Sequence, residues 1–237
     1  TEIGSYETPG DARDIAVTGD YAYIAASTAG LCIVNISDPA HPAEISLYDT
    51  ADSARGVALQ GNYAYVADGE AGLSIIDISD PAQPTAFSSY DTAQHAHGVA
   101  IGATYAYVAD YEGGLRIILV KPDPIEIGFY LAGGYAAAHG VALAGTYAYV
   151  ADASDGLRIL DVSRPTQPTE AGVCDTPYNA TDVAVAGKYA YVTDEREGLR
   201  IVDISDPVNP TEVGFYDTPG SANAVVMIGN LSLIHIS

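Results

Sequence analysis

The feature that most constrains this chain is a tripeptide that returns at a fixed step. Tyr21-Ala22-Tyr23, Tyr63-Ala64-Tyr65, Tyr105-Ala106-Tyr107, Tyr147-Ala148-Tyr149 and Tyr189-Ala190-Tyr191 stand 42 apart in the sequence each time. Self-similarity at a period near 40 points to four-stranded propeller blades. Residues 54–92 show one unit. "ARGVALQG" reads as a short apolar strand, and Gly61-Asn62 as a two-residue hairpin turn. "YAYVAD" is the second strand, "GEAG" a turn and "LSIIDIS" the third strand. "DPAQP" breaks the chain with two prolines, and "TAFSSYDT" is the fourth strand. No stretch holds a helical period, so the expected class is all-β.

The tyrosines say how the blades meet. In a strand, Tyr63 and Tyr65 share one face and Ala64 takes the other. Both faces are apolar, one bulky and one slim. That suits a sheet covered on both sides, with the tyrosine face of one blade nesting on the slim face of the next, as in a radial propeller. Tyrosine far outnumbers phenylalanine, 18 to 3. The hydroxyls are therefore expected to find partners near blade rims or turns.

The third strands and the segments after them resemble a known family. Leu73-Ser74-Ile75-Ile76-Asp77, Leu157-Arg158-Ile159-Leu160-Asp161 and Leu199-Arg200-Ile201-Val202-Asp203, each leading toward a Ser-Asp-Pro or similar segment, are similar to the LVIVD-repeat β-propellers. The Tyr-Ala-Tyr-Val strand matches that repeat too. The first unit departs with Asn35 in place of the aspartate. The third departs at "ILVKPDPIEIG", where two residues are lost and then regained within "LAGGYAAA". The resemblance implies a secreted or surface-attached prokaryotic protein and supplies no catalytic set.

Residues 1–230 read as a single β-propeller domain of five full repeats with a partial one at each end. "TEIGSYET" at the start matches a fourth strand, and "SANAVVMIGN" a first strand and turn. Residues 231–237, "LSLIHIS", break the pattern and read as a non-native tail, because one reading frame of a common sequencing adapter encodes that heptapeptide. On that reading the chain is a fragment. The alternative is a divergent second strand, since its residues alternate acceptably.

The charge balance narrows the partners. Against 31 acidic residues stand 9 basic ones, a formal net charge of −22. Such a surface repels phosphate backbones and anionic lipid heads, so neither nucleic acid nor membrane insertion is expected. A saline habitat is a further reading of the same balance. Cys32 and Cys174 fall where other repeats carry ordinary side chains, and read as unpaired thiols.

Strand parity gathers the tight glycine turns and the Ser-Asp-Pro segments at one end of the propeller. The longer, charged loops gather at the other, which is the better place for function. Just before the first strands come Arg13, Arg55, His97, His139, Thr181 and Asn223, each a step of 42 from the last. Counting across the hairpins sets Arg55 opposite Asp68, His97 opposite Asp110, His139 opposite Asp152 and Thr181 opposite Asp194. Because first strands line a propeller's axis, these residues would ring a channel mouth. Arg13, Arg55, His97, His139, Asp68, Asp110, Asp152 and Asp194 are thus the candidate ligand-binding residues. The competing reading makes them cross-strand ion pairs that fix register.

No catalytic residue is assigned. His97 and His139, with His95 nearby, are suitable ligands for zinc, iron or nickel, but their spacing matches no tight motif and no metal site is assigned. No cofactor is expected. Calcium is the one ion that Asp68, Glu70, Asp110, Glu112, Asp152, Asp155, Asp194 and Glu197 would attract, yet no segment has the pattern of a calcium loop. The function expected is a non-catalytic extracellular or cell-surface interaction or adhesion propeller with a protein or glycan partner. The alternative is a hydrolase or lyase acting at the Arg/His/Asp mouth.

Overall fold

A computed structural model of the chain describes residues 3–132, 137–228 and 231–236. All regular structure among them is strand. Blade 1 is β1 (Asp14–Thr18), β2 (Tyr21–Ala25), β3 (Leu31–Asn35) and β4 (Ala43–Tyr48). Blade 2 is β5 (Gly56–Gln60), β6 (Tyr63–Ala67), β7 (Leu73–Asp77) and β8 (Thr85–Tyr90). Blade 3 is β9 (Gly98–Gly102), β10 (Tyr105–Ala109), β11 (Leu115–Leu119) and β12 (Ile125–Tyr130). Blade 4 is β13 (Gly140–Ala144), β14 (Tyr147–Ala151), β15 (Leu157–Asp161) and β16 (Thr169–Cys174). Blade 5 is β17 (Ala180–Ala186), β18 (Tyr189–Asp194), β19 (Gly198–Asp203) and β20 (Thr211–Tyr216). A two-stranded sheet comes last, β21 (Ala222–Ile228) with β22 (Leu231–Ile236).

Each full blade is an antiparallel meander in sequence order. The fold is a β-propeller of five four-stranded blades plus that hairpin. The segment read as a tail pairs along β21, from Ile228↔Leu231 to Ala222↔Ile236, and begins one full repeat step after Tyr189. Residue 237 lies outside the described residues. The two-residue loss in the third unit shows in β12, which starts at Ile125, two positions earlier than the repeat step from Thr85 of β8 would place it. The regain falls partly on 133–136, outside the described residues.

The blades nest as the tyrosine pattern predicts. Tyr23, Leu31 and Ile33 of blade 1 pack on Val57, Ala64, Val66 and Ile76 of blade 2. Tyr65, Leu73 and Ile75 pack likewise on Val99, Ala106, Val108 and Ile118, and the pattern continues through blades 4 and 5. Tyr23, Tyr65, Tyr107 and Tyr149 are all buried. Large side chains set against small ones fill the gap between sheets. Among the hydroxyls, Tyr130 donates to Glu170 at 2.8 Å.

Polar side chains finish the turns. Asp77, Asp161 and Asp203 each accept the backbone N–H two residues on, at 2.8–2.9 Å. Asn35 does the same in blade 1 through its side-chain carbonyl at 2.8 Å. The turn needs an acceptor, not a charge, so this departure is structurally silent. Cys32 and Cys174 are free thiols.

A second device stitches neighbouring blades. Ser27, Gly69, Tyr111 and Ala153, again 42 apart, adopt positive φ between 43° and 55°. Each forms a bridge to the next blade's Ala54, Ala96, Ala138 or Ala180. Tyr111 shows the geometry: its N–H donates to Ala138 O at 3.0 Å, and Ala138 N–H donates back at 3.0 Å. These backbone bonds, two at the Ser27, Gly69 and Tyr111 junctions and one at Ala153, offset a conformation that non-glycine residues adopt at a cost.

Candidate ligand site at the axial mouth

The first strands β1, β5, β9, β13, β17 and β21 follow one another around the axis. Their approach is set by positions 14, 56, 98, 140, 182 and 224. Glycine holds three of these. A Cβ on Gly56 would lie 2.8 Å from His97 O, and one on Gly98 would lie 2.6 Å from His139 O. Blades 2, 3 and 4 therefore approach closely, and the residues just before those glycines are drawn together.

The result is a cavity of about 670 Å³ at the mouth. Arg13, Arg55, His97, His139, Thr181 and Asn223 all line it. His97 and His139 touch, with Nδ1 atoms 3.2 Å apart and rings edge-on at 4.9 Å. Tyr111 stacks on His97 at 5.2 Å and meets His139 edge-on at 5.5 Å. Thr181 is spent on local bonds, to Thr193 Oγ1 at 2.9 Å and to Ala222 O at 2.9 Å. Arg13 pairs with exposed Asp11 at 3.2 Å. Arg55 has no ion-pair partner among the described residues, and its Nε is buried without a hydrogen bond.

The four aspartates expected at the mouth are elsewhere. Asp68, Asp110, Asp152 and Asp194 are buried and do not line the cavity. The backbone count across the hairpin is met, since Arg55 N–H donates to Ala67 O at 2.8 Å. The side chains, however, turn into the blade. Asp68 accepts from Ala51 N–H and Ser74 Oγ, both at 3.0 Å. Asp110 accepts from Thr92 Oγ1 at 2.6 Å and from Arg116 Nε at 3.3 Å. Asp152 accepts from Arg158 Nε at 2.6 Å, and Asp194 from Tyr178 N–H at 2.9 Å. They lock the incoming connector to the blade, because a buried carboxylate needs donors and the connector offers them. Asp155 and Glu197 likewise pair with Arg158 and Arg200, at 2.8 and 3.3 Å. Among the described residues, no three His, Cys, Asp or Glu side chains converge as a metal site.

The mouth holds other carboxylates instead. Asp14 and Asp182 line the cavity at the position where blades 2 to 4 have glycine. Asp14 bridges blades 1 and 2, accepting from Ile15 N–H at 2.7 Å and Val57 N–H at 2.8 Å. Asp182 does the same between blade 5 and the hairpin, from Val183 N–H at 2.8 Å and Val225 N–H at 2.9 Å. Burial raises Asp14 to about 6. Burial, with the charge of Asp14, raises Asp182 to about 7. Glu195 completes the acidic side of the cavity.

The histidines shift the opposite way. Burial, then His139, Arg55, His95 and Arg13, pushes His97 down to about 3. His139 is lowered by burial and Arg55, against a raising effect from Glu195. Both imidazoles are thus neutral near pH 7, in a positive field. Asp14, Asp182, Tyr111 and Glu195 escaped the sequence reading. Only the alternation Asp14/Gly56/Gly98/Gly140/Asp182/Ala224 at the repeat step carried a signal for the two aspartates.

Comparison with known proteins fixes the family. Residues 9–50, 51–92, 93–120, 133–176 and 178–218 match the LVIVD repeat. The chain belongs to the LVIVD-repeat family. The unmatched stretch 121–132 of this LVIVD propeller is where the third unit departs from the pattern. No curated protein matches the chain. Among solved structures, it is similar to a functionally unknown protein from Desulfotomaculum acetoxidans DSM 771, with TM-score 0.75 and 16% identity over 92% of this chain and 74% of that one. The computationally designed Ika8 protein superimposes with TM-score 0.70 and 9% identity, over 95% and 68%. The Cps50 (Swd1) β-propeller domain of Myceliophteria thermophila gives TM-score 0.70 and 11% identity, over 90% and 73%. At such identities these likenesses speak for the LVIVD propeller's fold alone.

Proposed function

We propose that this LVIVD propeller is a non-catalytic interaction or adhesion protein working outside the cell or on a prokaryotic cell surface. Its axial mouth recognises a protein segment or glycan. A repeat propeller fits a protein-interaction role. The observation that carries the reading is the contrast within the repeat. The four-stranded scaffold hardly changes from blade to blade, while the six equivalent positions at the mouth carry Arg, Arg, His, His, Thr and Asn around one cavity. A cavity of that size is in the range that holds small ligands or a side-chain group of a larger partner. The surface location rests on the family resemblance and the acidic composition.

The test is binding to glycan arrays and to intact prokaryotic cells, with three proteins. Wild type and a Gln83→Ala/Gln167→Ala variant, altered at the opposite end, should bind alike. Arg13→Ala/Arg55→Ala should bind at least about tenfold more weakly. Equal binding by all three contradicts the assignment.

One observation favours a second reading, a hydrolase or lyase. The neutral His97–His139 couple shares its cavity with Asp182, whose proton affinity lies near neutral pH, which is the property a general acid or base needs. Turnover of simple esters or lactones that vanishes in His97→Ala and His139→Ala would replace the non-catalytic reading.

A further inference from the structure

Arg55 is anomalous in so acidic a chain. Arg116, Arg158 and Arg200 are each paired with two or three carboxylates, although Arg200 Nε, like that of Arg55, is buried without a hydrogen bond. Arg116 faces Asp110 and Glu126. Arg158 faces Asp152, Asp155 and Glu170. Arg200 faces Glu197, Glu212 and Asp217. Arg55, with acids outnumbering bases 31 to 9, has no such partner among the described residues, though it lines the cavity at the mouth. A guanidinium presents five donors in a planar fork that fits a carboxylate bidentately. Leaving Nε buried and unbonded costs stability unless a ligand completes it.

We infer that the wall made by Arg55, His97 and His139 binds the carboxylate of a small or terminal acidic group, which makes the mouth's ligand carboxylate-bearing rather than neutral. This deepens, and rests on, the reading of the mouth as the recognition site. Arg55 supplies the fork. The histidine couple supplies a donor: one Nδ1–H donates to the other Nδ1, and the accepting ring keeps its proton on Nε2. Tyr111 fixes the ring planes by stacking. Arg13, on the neighbouring blade, adds positive charge at the rim. The cavity is larger than one carboxylate and so has room for the rest of the ligand.

Binding should take up protons. The free couple is held neutral by burial and by the charge of Arg55, and an arriving anion cancels that charge. Arg13 and His95 repel a proton on His97 as Arg55 does, while Glu195 attracts one to His139. Protonation of Asp14 and Asp182 as the pH falls removes negative charge from the cavity, which also favours the anion. All these effects point toward tighter binding in acid.

The experiment is a titration of the full chain followed at the imidazole NMR signals of His97 and His139, with succinate and with its neutral isostere succinamide as probes. Succinate should move both signals saturably, and succinamide should not. Arg55→Gln should weaken succinate at least about tenfold, and Arg55→Lys, which keeps the charge without the fork, should fall between. Succinate affinity should rise several-fold from about pH 7.5 to about pH 6. Wild-type affinity in Arg55→Gln, or in Arg55→Lys should the first not fold, overturns the inference. So does a shift with succinamide but not succinate, and that result leaves the mouth as the recognition site. If neither probe moves the signals while the mouth variants still lose surface binding, the ligand class alone falls; if those variants bind like wild type, both readings fall.

Discussion

His97 and His139 are one repeat apart in the chain, yet their Nδ1 atoms lie 3.2 Å apart at the axis. The contact is a consequence of the repeat. Both residues precede the first strand of their blades, and both are followed by a glycine that lets those strands close up. The same step that makes blades alike in the core thus brings unlike side chains together at the mouth.

Close approach at the glycines is the first thing to test. A Cβ on Gly98 would sit 2.6 Å from the carbonyl oxygen of His139 and 3.1 Å from Gly140 Cα. Neither backbone atom can yield without moving a blade. Gly98→Ala should cost about 1–3 kcal/mol in urea unfolding and weaken the imidazole contact. Gly61→Ala meets nothing within 4 Å, although its φ is +59°. It should cost about 1 kcal/mol and leave the mouth unchanged.

Asp182 and His97 should give stability profiles of opposite slope. Asp182 binds its proton more tightly folded, at about 7, than its ordinary 3.8. The folded state then holds more protons between these values, and wild type loses stability relative to Asp182→Asn as pH rises from about 4 to about 7. His97 is depressed to about 3 from 6.5. The unfolded state holds more protons in that window, so wild type gains relative to His97→Gln as pH rises from about 3 to about 6.5. Each difference should reach about 2 kcal/mol after solvent screening. Thermal unfolding of the three proteins across that range measures both.

Arg158 is the strongest single lock. It is buried and meets Asp152 at 2.6 Å, Asp155 at 2.8 Å and Glu170. Arg158→Leu leaves Asp152 buried without its cation, which should cost about 3–5 kcal/mol. Arg158→Leu/Asp152→Leu should recover much of that loss, and chemical denaturation of the two variants and wild type checks it.

The fold was legible in the sequence because a fixed period labels equivalent positions. Tyr65 and Ala64 told which blade face is thick and which is thin. Stepping along the chain by that period found the ring from Arg13 to Asn223. The direction of the aspartates was not legible. A register count places Asp68 opposite Arg55 along the backbone, but the residue after Asp68, Asp110 and Asp152 turns left-handed. The strand ends there, and the carboxylate swings to the donors around it. Asp14, Asp182 and Tyr111 were hidden for a different reason. The residue type at their repeat positions changes from blade to blade, Asp with Gly and Ala at the first and Ser, Gly, Tyr, Ala and Glu at the second, so no constant residue marks either position.

The most direct test of the account is the ring contact at the axis. Nuclear Overhauser measurements on histidine-labelled protein should show His97 against both His139 and the Tyr111 ring, with His97 still neutral at about pH 5 and His139 gaining its proton below the ordinary imidazole range. Two histidines without mutual contacts, each gaining its proton near the ordinary 6.5, would contradict it.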